Sequence, residues 1–377
     1  MTRLGILGGG QLAQMLTQAA ISLGIETVIF ERTADSPASR LTHHQIVGQW
    51  DDDAALAQFA ALCDVITLEN EFVDAGVLRR LESAGLPVYP TSDTLAAIQD
   101  KLVQKQRIES AGLAVPQFRA VDSPDDVTTA AQDLGYPLLL KARRDGYDGY
   151  GNATIRSADD IPAAWEKLGA PKGRKLLVEA FVPFTRELAV MVLRGRDGET
   201  CTYPVVETVQ KNHICHVVRA PAPISPESAA QAANLARQAV EAVDGVGVFG
   251  VELFELADGR VLYNEMAPRT HNSGHYTIEG CVTSQFENHI RAVMGWPLGS
   301  TEMVTPAAVM VNILGGRNGA ANPDGIREAL ATSGAHVHIY GKRDVRIGRK
   351  MGHVTALGNS ITEAEAVAQK AVNRINL

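Results

Sequence analysis

Apolar runs of four or five residues alternate along the chain with glycine turns and with stretches whose apolar positions recur every three or four residues. Leu4 to Leu7 is such a run. Gly8-Gly9-Gly10 follows, then an amphipathic stretch from Gln11 to Leu23, then Glu26 to Phe30 closed by Glu31. Short runs bounded by glycine read as buried strands and the 3.6-residue period as a helix, so the opening predicts a βαβ unit. Further buried strands at Cys63 to Leu68 and Leu86 to Tyr89, with helical stretches between them, extend an open α/β sheet to about residue 90.

Thr91-Ser92-Asp93 supplies helix-starting side chains, and the pattern predicts one helix from there to about Ser110, with Gly112 beyond its end. Leu138 to Lys141 is an apolar strand ending in a lysine. It runs into Arg-Arg-Asp-Gly-Tyr-Asp-Gly-Tyr-Gly at 143 to 151, too rich in glycine for regular structure and therefore a loop. Strands are predicted at Leu176 to Glu179, Glu187 to Arg194 and Val248 to Leu256, and a helix from Pro226 to Val243 capped by Ser225. Pro297 and the Gly-Ser-Thr after it read as a linker to a short α/β tail. That tail carries the densest basic cluster of the chain: Lys342, Arg343, Arg346, Arg349 and Lys350.

The most informative pattern lies between Val248 and Arg269. Asp258-Gly259 is a strong two-residue hairpin signal between apolar strands. Pairing Ala257 with Arg260 carries the register back to Glu252 directly opposite Glu265, on one face of the sheet. Like charges so placed repel, unless a cation sits between them. A Mg²⁺ ion bridging nucleotide phosphates is the natural occupant, since it prefers carboxylate oxygens plus phosphates to an all-protein cage.

Composition narrows the function classes. The 377 residues suffice for two or three domains, and 45% apolar with 21% charged residues describes an ordinary globular protein. Thirty-five basic against 43 acidic side chains give a net charge of −8, which argues against a nucleic-acid partner, although a local basic cluster could hold a small anion. No membrane partner is implied. Cys63, Cys201, Cys215 and Cys281 form no CxxC pair and read as small buried apolar groups. The opening has no basic segment, long apolar run or cleavage site, so the cytoplasm is the expected compartment.

Gly8-Gly9-Gly10-Gln11-Leu12-Ala13 fits the dinucleotide-binding fingerprint, and Glu31 stands 21 residues after Gly10, where an acidic partner for a ribose hydroxyl would sit. Any tight strand-to-helix turn wants the same glycines, and a helix N-terminus serves any phosphate. An oxidoreductase therefore stays open as an alternative. The Gly146–Asn152 loop after Lys141 suits a different ligand, because its glycines let backbone N–H groups turn in over a polyphosphate.

Taken together these motifs resemble the ATP-grasp superfamily and, within it, the N5-carboxyaminoimidazole ribonucleotide synthetases of purine biosynthesis. The resemblance covers nearly the whole length. It rests on Gly-Gly-Gly-Gln-Leu at 8–12, Leu-Gly-Tyr-Pro at 134–137, Gly-Tyr-Asp-Gly-x-Gly at 146–151, and Asn-Glu-Met-Ala-Pro-Arg-x-His-Asn-Ser-Gly-His at 264–275. Ser-Gln-Phe-Glu at 284–287 and Gly-Arg-Lys-Met-Gly-His at 348–353 complete it. It implies an α/β and α+β architecture: a Rossmann-like pre-ATP-grasp domain (1–92), an ATP-grasp domain (93–303) with a lid at about 115–180, and a small C-terminal domain (304–377).

The resemblance also implies roles. Lys101 and Lys141 would touch ATP phosphates, and Gly146, Tyr147, Asp148, Gly149, Tyr150, Gly151 and Asn152 would form the lid loop. Glu179, Ala180, Phe181 and Val182 would hold the adenine, and Glu187 the ribose hydroxyls. Glu252 with Asn264 and Glu265 would bind Mg²⁺, or Mn²⁺ in its place, and the γ-phosphate region. The family usually has arginine where this chain has Lys101, and histidine where it has Gln210; both changes keep a donor. The implied reaction joins bicarbonate to 5-aminoimidazole ribonucleotide at the cost of ATP, in a cytoplasmic homodimer.

Every species in that reaction is anionic, which makes Arg269 the choice for bicarbonate and carboxyphosphate oxygens. His271, Asn272, Ser273 and the catalytic candidate His275 are placed around the acceptor. Lys342, Arg349 and Lys350 would grip its 5′-phosphate, helped by the Gly8 to Leu12 turn, with Gln11 and Leu12, and the helix it opens. Glu69 and Glu71 end the strand at Val65 to Leu68, with Glu71 the choice for orienting the amine. Tyr147 and Asp148 are candidates for proton transfer. A catalytically silent nucleotide sensor is disfavoured by the intact Glu252, Glu265, Lys141 and Arg269.

Overall fold

The computed structural model describes residues 2–146 and 151–377, so Tyr147, Asp148, Gly149 and Tyr150 lie outside the described residues. The opening forms β1 (Arg3–Leu7), α1 (Gln11–Ser22) and β2 (Glu26–Glu31). It continues through β3 (His44–Val47), α2 (Asp53–Ala60), β4 (Val65–Leu68) and α3 (Ala75–Ser83). The strands are parallel in the order β3-β2-β1-β4. Leu7, Val28, Phe30, Ile66 and Leu68 pack on Phe59 and Leu78 on one side, while Leu4, Ile6 and Ile29 pack on α1 on the other. The strand expected at Leu86 to Tyr89 shrinks to one bridge between Val88 and Ile66, because Pro87 and Pro90 on either side cannot donate to a ladder.

The helix expected from Thr91 to Ser110 is two helices, α4 (Ser92–Gln99) and α5 (Lys101–Ser110), broken at Asp100. Asp100 has an extended backbone, and its carboxylate accepts from Leu102 N at 3.0 Å, an N-cap that starts a new helix. Arg143 clamps the same carboxylate from Nε at 2.9 Å and Nη2 at 2.6 Å, and Lys101 N donates to Arg143 O at 2.8 Å. The break puts Lys101 at the head of α5, facing the cleft described below.

A second, antiparallel sheet follows: β5 (Phe118–Val121), α6 (Pro124–Leu134), β6 (Leu138–Ala142), β7 (Asn152–Ile155), α7 (Ile161–Lys167) and β8 (Leu176–Ala180), in the order β5-β8-β6-β7. The largest sheet begins with β9 (Phe184–Arg194), β10 (Thr200–Thr202), β11 (Val206–Lys211) and β12 (Ile214–Ala220). After α8 (Pro226–Ala242) come β13 (Gly247–Leu256) and β14 (Val261–Ala267), then α9 (Thr277–Gly280) and α10 (Gln285–Met294). The tail supplies β15 (Ala307–Leu314), β16 (Gly319–Ala320), α11 (Ile326–Leu330), β17 (Ala335–Ile339), β18 (Asp344–Val345), β19 (Lys350–Gly358) and α12 (Ile361–Val372). β16 pairs only with β18, but β15, β19 and β17 extend the large sheet from β12, giving β14-β13-β9-β11-β12-β15-β19-β17 with β10 on β9. Residues 350–358 are thereby held in the same sheet as the facing glutamates.

The hairpin of β13 and β14 reaches the expected pairing by an unexpected route. Its turn has three residues, not two: Leu256 N donates to Arg260 O at 2.9 Å, and Gly259 adopts φ +82°, the left-handed position that closes such a turn. The strands then run one residue out of the expected register, with Leu253 facing Tyr263, until a bulge at Asn264 restores it and Glu252 faces Glu265. Two displacements cancel.

Asp100→Ala removes the cap of α5 and leaves Arg143 without its clamp. The expected outcome in chemical denaturation is a loss of about 1–2 kcal/mol. A variant as stable as the parent would mean that the helix break is imposed from elsewhere.

Candidate active site

A cleft of about 700 Å³ opens where the three sheets converge. Of the residues singled out from the sequence, Gln11, Leu12, Glu71, Lys101, Gly146, Glu252, Glu265, Arg269, His271, Asn272, His275, Lys342, Arg349 and Lys350 line it. Lys141, Gly151, Asn152, Glu179 to Val182, Glu187, Gln210, Asn264 and Ser273 do not form its wall and stand behind or beside it.

Its floor is a set of carboxylates on one sheet face. Glu252 pairs across the ladder with Glu265 on one side and with Ala189 on the other, and Glu187 lies two residues along β9 on that same face. Burial, then repulsion from Glu265 and Glu187, pushes the Glu252 carboxyl well above its ordinary range. Burial also pushes Glu265 up, but Lys101, Lys141 and Lys105 outweigh it and hold that carboxyl low. Burial raises Glu187, with Gln210 opposing and the Glu265 charge adding to the rise. Lys101 Nζ contacts Glu265 Oε2, the position where the sequence called for a cation.

Whether a metal ion fits is decided by the donors. Two carboxylates face each other, and next to Glu265 in the chain Asn264 Oδ1 is buried with no hydrogen-bond partner among the described residues. Hard oxygen donors of this kind suit Mg²⁺ or Mn²⁺. Among the described residues no three His, Cys, Asp or Glu side chains form a complete cage, so phosphate oxygens or water would have to finish the coordination.

Behind the floor sits a charge cluster only half foreseen. Glu179 at the end of β8 accepts from Lys141 Nζ at 2.8 Å and faces Lys105 Nζ at 3.2 Å, and Lys105 also donates to Asn264 O at 3.0 Å. Burial and the neighbouring Lys141 push the Lys105 ammonium down to about 8, against the pull of Glu179. Lys105 escaped the sequence reading, although its spacing of four from Lys101 puts both on one face of α5. Ala180, Phe181 and Val182 link β8 to β9. Asn152 pairs with Lys141 at the head of β7, and Gly151 O accepts from Ala142 N at 2.8 Å.

The opposite wall is built by residues 269–275. Arg269 is paired with Glu71, Nη2 reaching Oε1 at 2.8 Å and Nε contacting Oε2, while Nη1 donates to Thr270 O at 3.1 Å. The sequence assigned these two side chains separate tasks; the structure makes them one unit. His271 packs on β13, where only glycine fits: a Cβ on Gly250 would lie 2.4 Å from His271 Cβ. Burial, then the Arg269 and Lys350 charges, pushes His271 down to about 3, so the ring is neutral and its 3.6 Å approach to Glu252 is not an ion pair.

Several residues placed around the acceptor hold this wall in shape. Ser273 Oγ bonds His271 Nδ1 at 2.8 Å, and Asn272 exchanges amide hydrogen bonds of 2.9 and 2.7 Å with Asn312 of β15. Gln285 at the start of α10 grips His271 N and O, which fixes its amide, and it donates to His275 Nδ1 at 3.0 Å. The His275 proton is therefore on Nε2. Burial holds that ring neutral, and it packs against His353 and Tyr340.

Part of the glycine turn is engaged by carboxylates of the chain itself. Glu69 occupies it: Oε1 accepts from Gly10 N at 3.0 Å and Oε2 from Ala13 N at 3.4 Å, while Gly9 N donates to Glu31 Oε2 at 2.9 Å. A Cβ on Gly10 would lie 2.6 Å from Glu69 Oε1. The glycines thus admit a carboxylate of the chain itself, and Glu31 is already engaged. Gln11 and Leu12 face the cleft beside it. Across from them, Lys342 Nζ donates to Lys350 O at 2.7 Å over the Tyr340 ring, and Arg349 Nη1 to Asp344 O at 2.8 Å. Arg343 turns away to Asp35.

The facing carboxylates of Glu252 and Glu265, with Lys101 and Lys141 holding the Glu265 carboxyl low beside an antiparallel sheet, belong to an ATP-grasp ligase. The domain families agree: the ribonucleotide synthetase preATP-grasp domain matches residues 1–99, the ATP-grasp domain 106–286, and the phosphoribosylaminoimidazole carboxylase C-terminal domain 308–367. The N5-carboxyaminoimidazole ribonucleotide synthase of Synechococcus elongatus is 42% identical over 375 residues, 99% of this chain and 94% of that protein. The chain spans only about two thirds of the length of the fungal and plant phosphoribosylaminoimidazole carboxylases it matches, such as that of Ogataea methanolica at 42% identity (96% of this chain, 67% of that one). Among solved structures, the Thermotoga maritima synthetase superposes with a TM-score of 0.89 at 39% identity, covering 100% of this chain and 99% of that one. The Aspergillus clavatus enzyme, in complex with ADP and 5-aminoimidazole ribonucleotide, gives 0.90 at 38%, covering 99% and 98%. The chain belongs to the N5-carboxyaminoimidazole ribonucleotide synthase family.

The raised Glu252 carboxyl has a consequence for stability. A folded-state value above the unfolded one means that the native chain holds a proton the unfolded chain has released, so stability falls as pH rises out of the ordinary carboxylate range. Glu252→Gln removes that penalty. Without divalent ions the variant is expected to be more stable than the parent at pH 8, with the gap closing towards pH 5. A gap that does not change with pH would show that the two carboxylates do not repel.

Proposed function

We propose that the chain carboxylates 5-aminoimidazole ribonucleotide with bicarbonate, consuming ATP and giving N5-carboxyaminoimidazole ribonucleotide, ADP and phosphate in de novo purine biosynthesis. The observation that carries this reading is a single cleft joining the facing Glu252 and Glu265 to the basic cluster of the tail, with the Arg269–Glu71 pair on its wall. The relative solved with ADP and 5-aminoimidazole ribonucleotide supports both ligands.

ATP lies along the lysines and the Gly146–Asn152 loop, its adenine at Glu179 to Val182 and its ribose at Glu187, with Gln210 beside it. Lys101 reaches the phosphates from the head of α5. Lys141 has three donors, so its contact with Glu179 leaves it able to reach phosphate. Glu252 and Glu265, with Asn264 beside them, hold Mg²⁺ or Mn²⁺, which when bound supplies positive charge against the phosphate oxygens. A bicarbonate oxygen attacks the γ-phosphorus, ADP leaves, and carboxyphosphate forms. The amine of the ribonucleotide then attacks the carboxyl carbon, either directly or as released CO₂, phosphate departs, and the nitrogen loses a proton.

Arg269 answers the negative charge of bicarbonate and carboxyphosphate, held in aim by Glu71. Glu71 in turn presents a carboxylate to the attacking amine. His271, held neutral, and His275, with Nε2–H as a donor, stand beside the ribonucleotide, and Tyr147 and Asp148 of the lid loop complete the candidates for moving its proton. Lys342, Arg349 and Lys350, opposite Gln11 and Leu12, take the 5′-phosphate. The same reading makes the enzyme a cytoplasmic homodimer; among the described residues no helix is long and apolar enough to cross a membrane. The oxidoreductase alternative loses its basis with Glu69, whose carboxylate sits where a pyrophosphate would need the helix N-terminus.

The direct test is ADP release with bicarbonate, with and without the ribonucleotide. Turnover that requires all three substrates is expected, together with no saturable NADH binding by fluorescence. NADH binding in the micromolar range without ATP turnover would restore the dehydrogenase reading. Substituting Arg349 and Lys350 together by Met removes two charge-assisted contacts of about 1.5–3 kcal/mol each. The second-order rate for the ribonucleotide is then expected to fall by up to roughly ten-thousandfold, with ATP binding far less affected. Loss of ATP binding with acceptor use spared would reverse the assigned roles.

A further inference from the structure

The bulge at Asn264 decides where Glu265 points. In the register that runs from the turn to Leu253 and Tyr263, Glu252 would face Asn264, and Glu265 would lie on the other side of the sheet. One unpaired residue turns it back into the cleft. A bulge also interrupts the ladder and leaves backbone groups without strand partners, so something else must hold it.

Two adjacent side chains of α5 do so, both about 2% exposed. Gln104 flanks the bulge on both sides: Oε1 accepts from Tyr263 OH at 2.8 Å and Met266 N at 3.3 Å, and Nε2 donates to Met266 O at 3.3 Å and Ile98 O at 3.1 Å. Lys105 takes the bulged residue itself, Nζ to Asn264 O at 3.0 Å. The same ammonium lies 3.2 Å from Glu179 Oε1 on β8, a strand of the other sheet. Buried lysines are rare unless paired, and this one joins two sheets and the bulge at a single atom.

We propose that Gln104 and Lys105 are positioning residues that lock the Asn264 bulge and so aim Glu265 at Glu252, and that Lys105 further ties this carboxylate to the strand that leads into the adenine-holding segment. Neither side chain is assigned to the nucleotide or the ion. Their effect on ligands passes through Glu265, and it couples seating of the nucleotide to the aim of the metal carboxylate. The inference rests on the nucleotide reading given above.

Binding, not turnover, tests it. ADP affinity of the full chain is measured by calorimetry in Mg²⁺ and in EDTA, for the parent, Gln104→Met and Lys105→Met, with circular dichroism confirming the fold. Gln104→Met keeps the Lys105–Glu179 pair and is expected to lose at least tenfold of the Mg²⁺-dependent gain in ADP affinity while moving less than twofold in EDTA. Lys105→Met is expected to lose that gain and to weaken ADP in EDTA as well, because the tie to β8 is gone. Lys105→Gln, which keeps an N–H for the Asn264 carbonyl, is expected to recover part of the Mg²⁺ gain, and it carries the test if Lys105→Met does not fold. Folded variants with the parent's Mg²⁺ gain overturn the inference alone. A parent that binds no ADP overturns the nucleotide reading and this inference with it.

Discussion

Repulsion between Glu252 and Glu265 organises the molecule. Two carboxylates fixed opposite each other on adjacent strands cannot both be ionised in a partly buried cleft unless positive charge is supplied. The chain supplies it from two elements: Lys101 and Lys105 from α5, and Lys141 from the sheet that contains β8. Lys101 is available because Asp100 ends one helix and starts another, and Asp100 is held by Arg143, two residues beyond Lys141. The helix break and the convergence of the sheets together bring up the lysines that set the charge state of Glu265.

The same logic explains why an acidic protein can work on anions. A net charge of −8 would repel bicarbonate, nucleotide and ribonucleotide alike if it were spread evenly. In the cleft the positive groups outreach their partners. Arg269 has donors beyond those used by Glu71 and Thr270, and the tail brings its basic residues into the same cleft as the facing glutamates. At the N-terminus of α1, Glu69 takes the Gly10 and Ala13 N–H groups, and Gln11 and Leu12 face the cleft beside it. The two glutamates of one short segment thus divide: Glu69 seals a turn, and Glu71 aims an arginine.

Much of this was legible in the residues, for identifiable reasons. The βαβ opening follows from local periodicity, which its strands and helix obey. The Glu252–Glu265 pairing was reached through a two-residue turn that does not exist; the glycine at φ +82° lengthens the turn by one residue and the Asn264 bulge compensates. Features set by distant partners were not legible. Asp100 breaks its helix with the help of an arginine 43 residues away, and Glu69 reaches a helix 56 residues earlier. Asn272 and Ser273 are polar enough to be placed around the acceptor, but their bonds to Asn312 and His271 become visible only in the fold. Lys105 was not legible because a helical lysine ordinarily faces solvent, and only the fold reveals it buried against Glu179.

In the proposed reaction the cleft transfers the γ-phosphoryl group to bicarbonate and then releases it as phosphate. Oxygen-18 in the bicarbonate follows that path atom by atom, provided that the reaction is quenched before the label exchanges with water. If bicarbonate attacks phosphorus and the carbon–oxygen bond later breaks, one labelled oxygen per turnover must appear in inorganic phosphate, and only when the ribonucleotide, ATP and Mg²⁺ are all present. Unlabelled phosphate formed alongside carboxylated product would contradict the account, because it would mean that water rather than bicarbonate received the phosphoryl group.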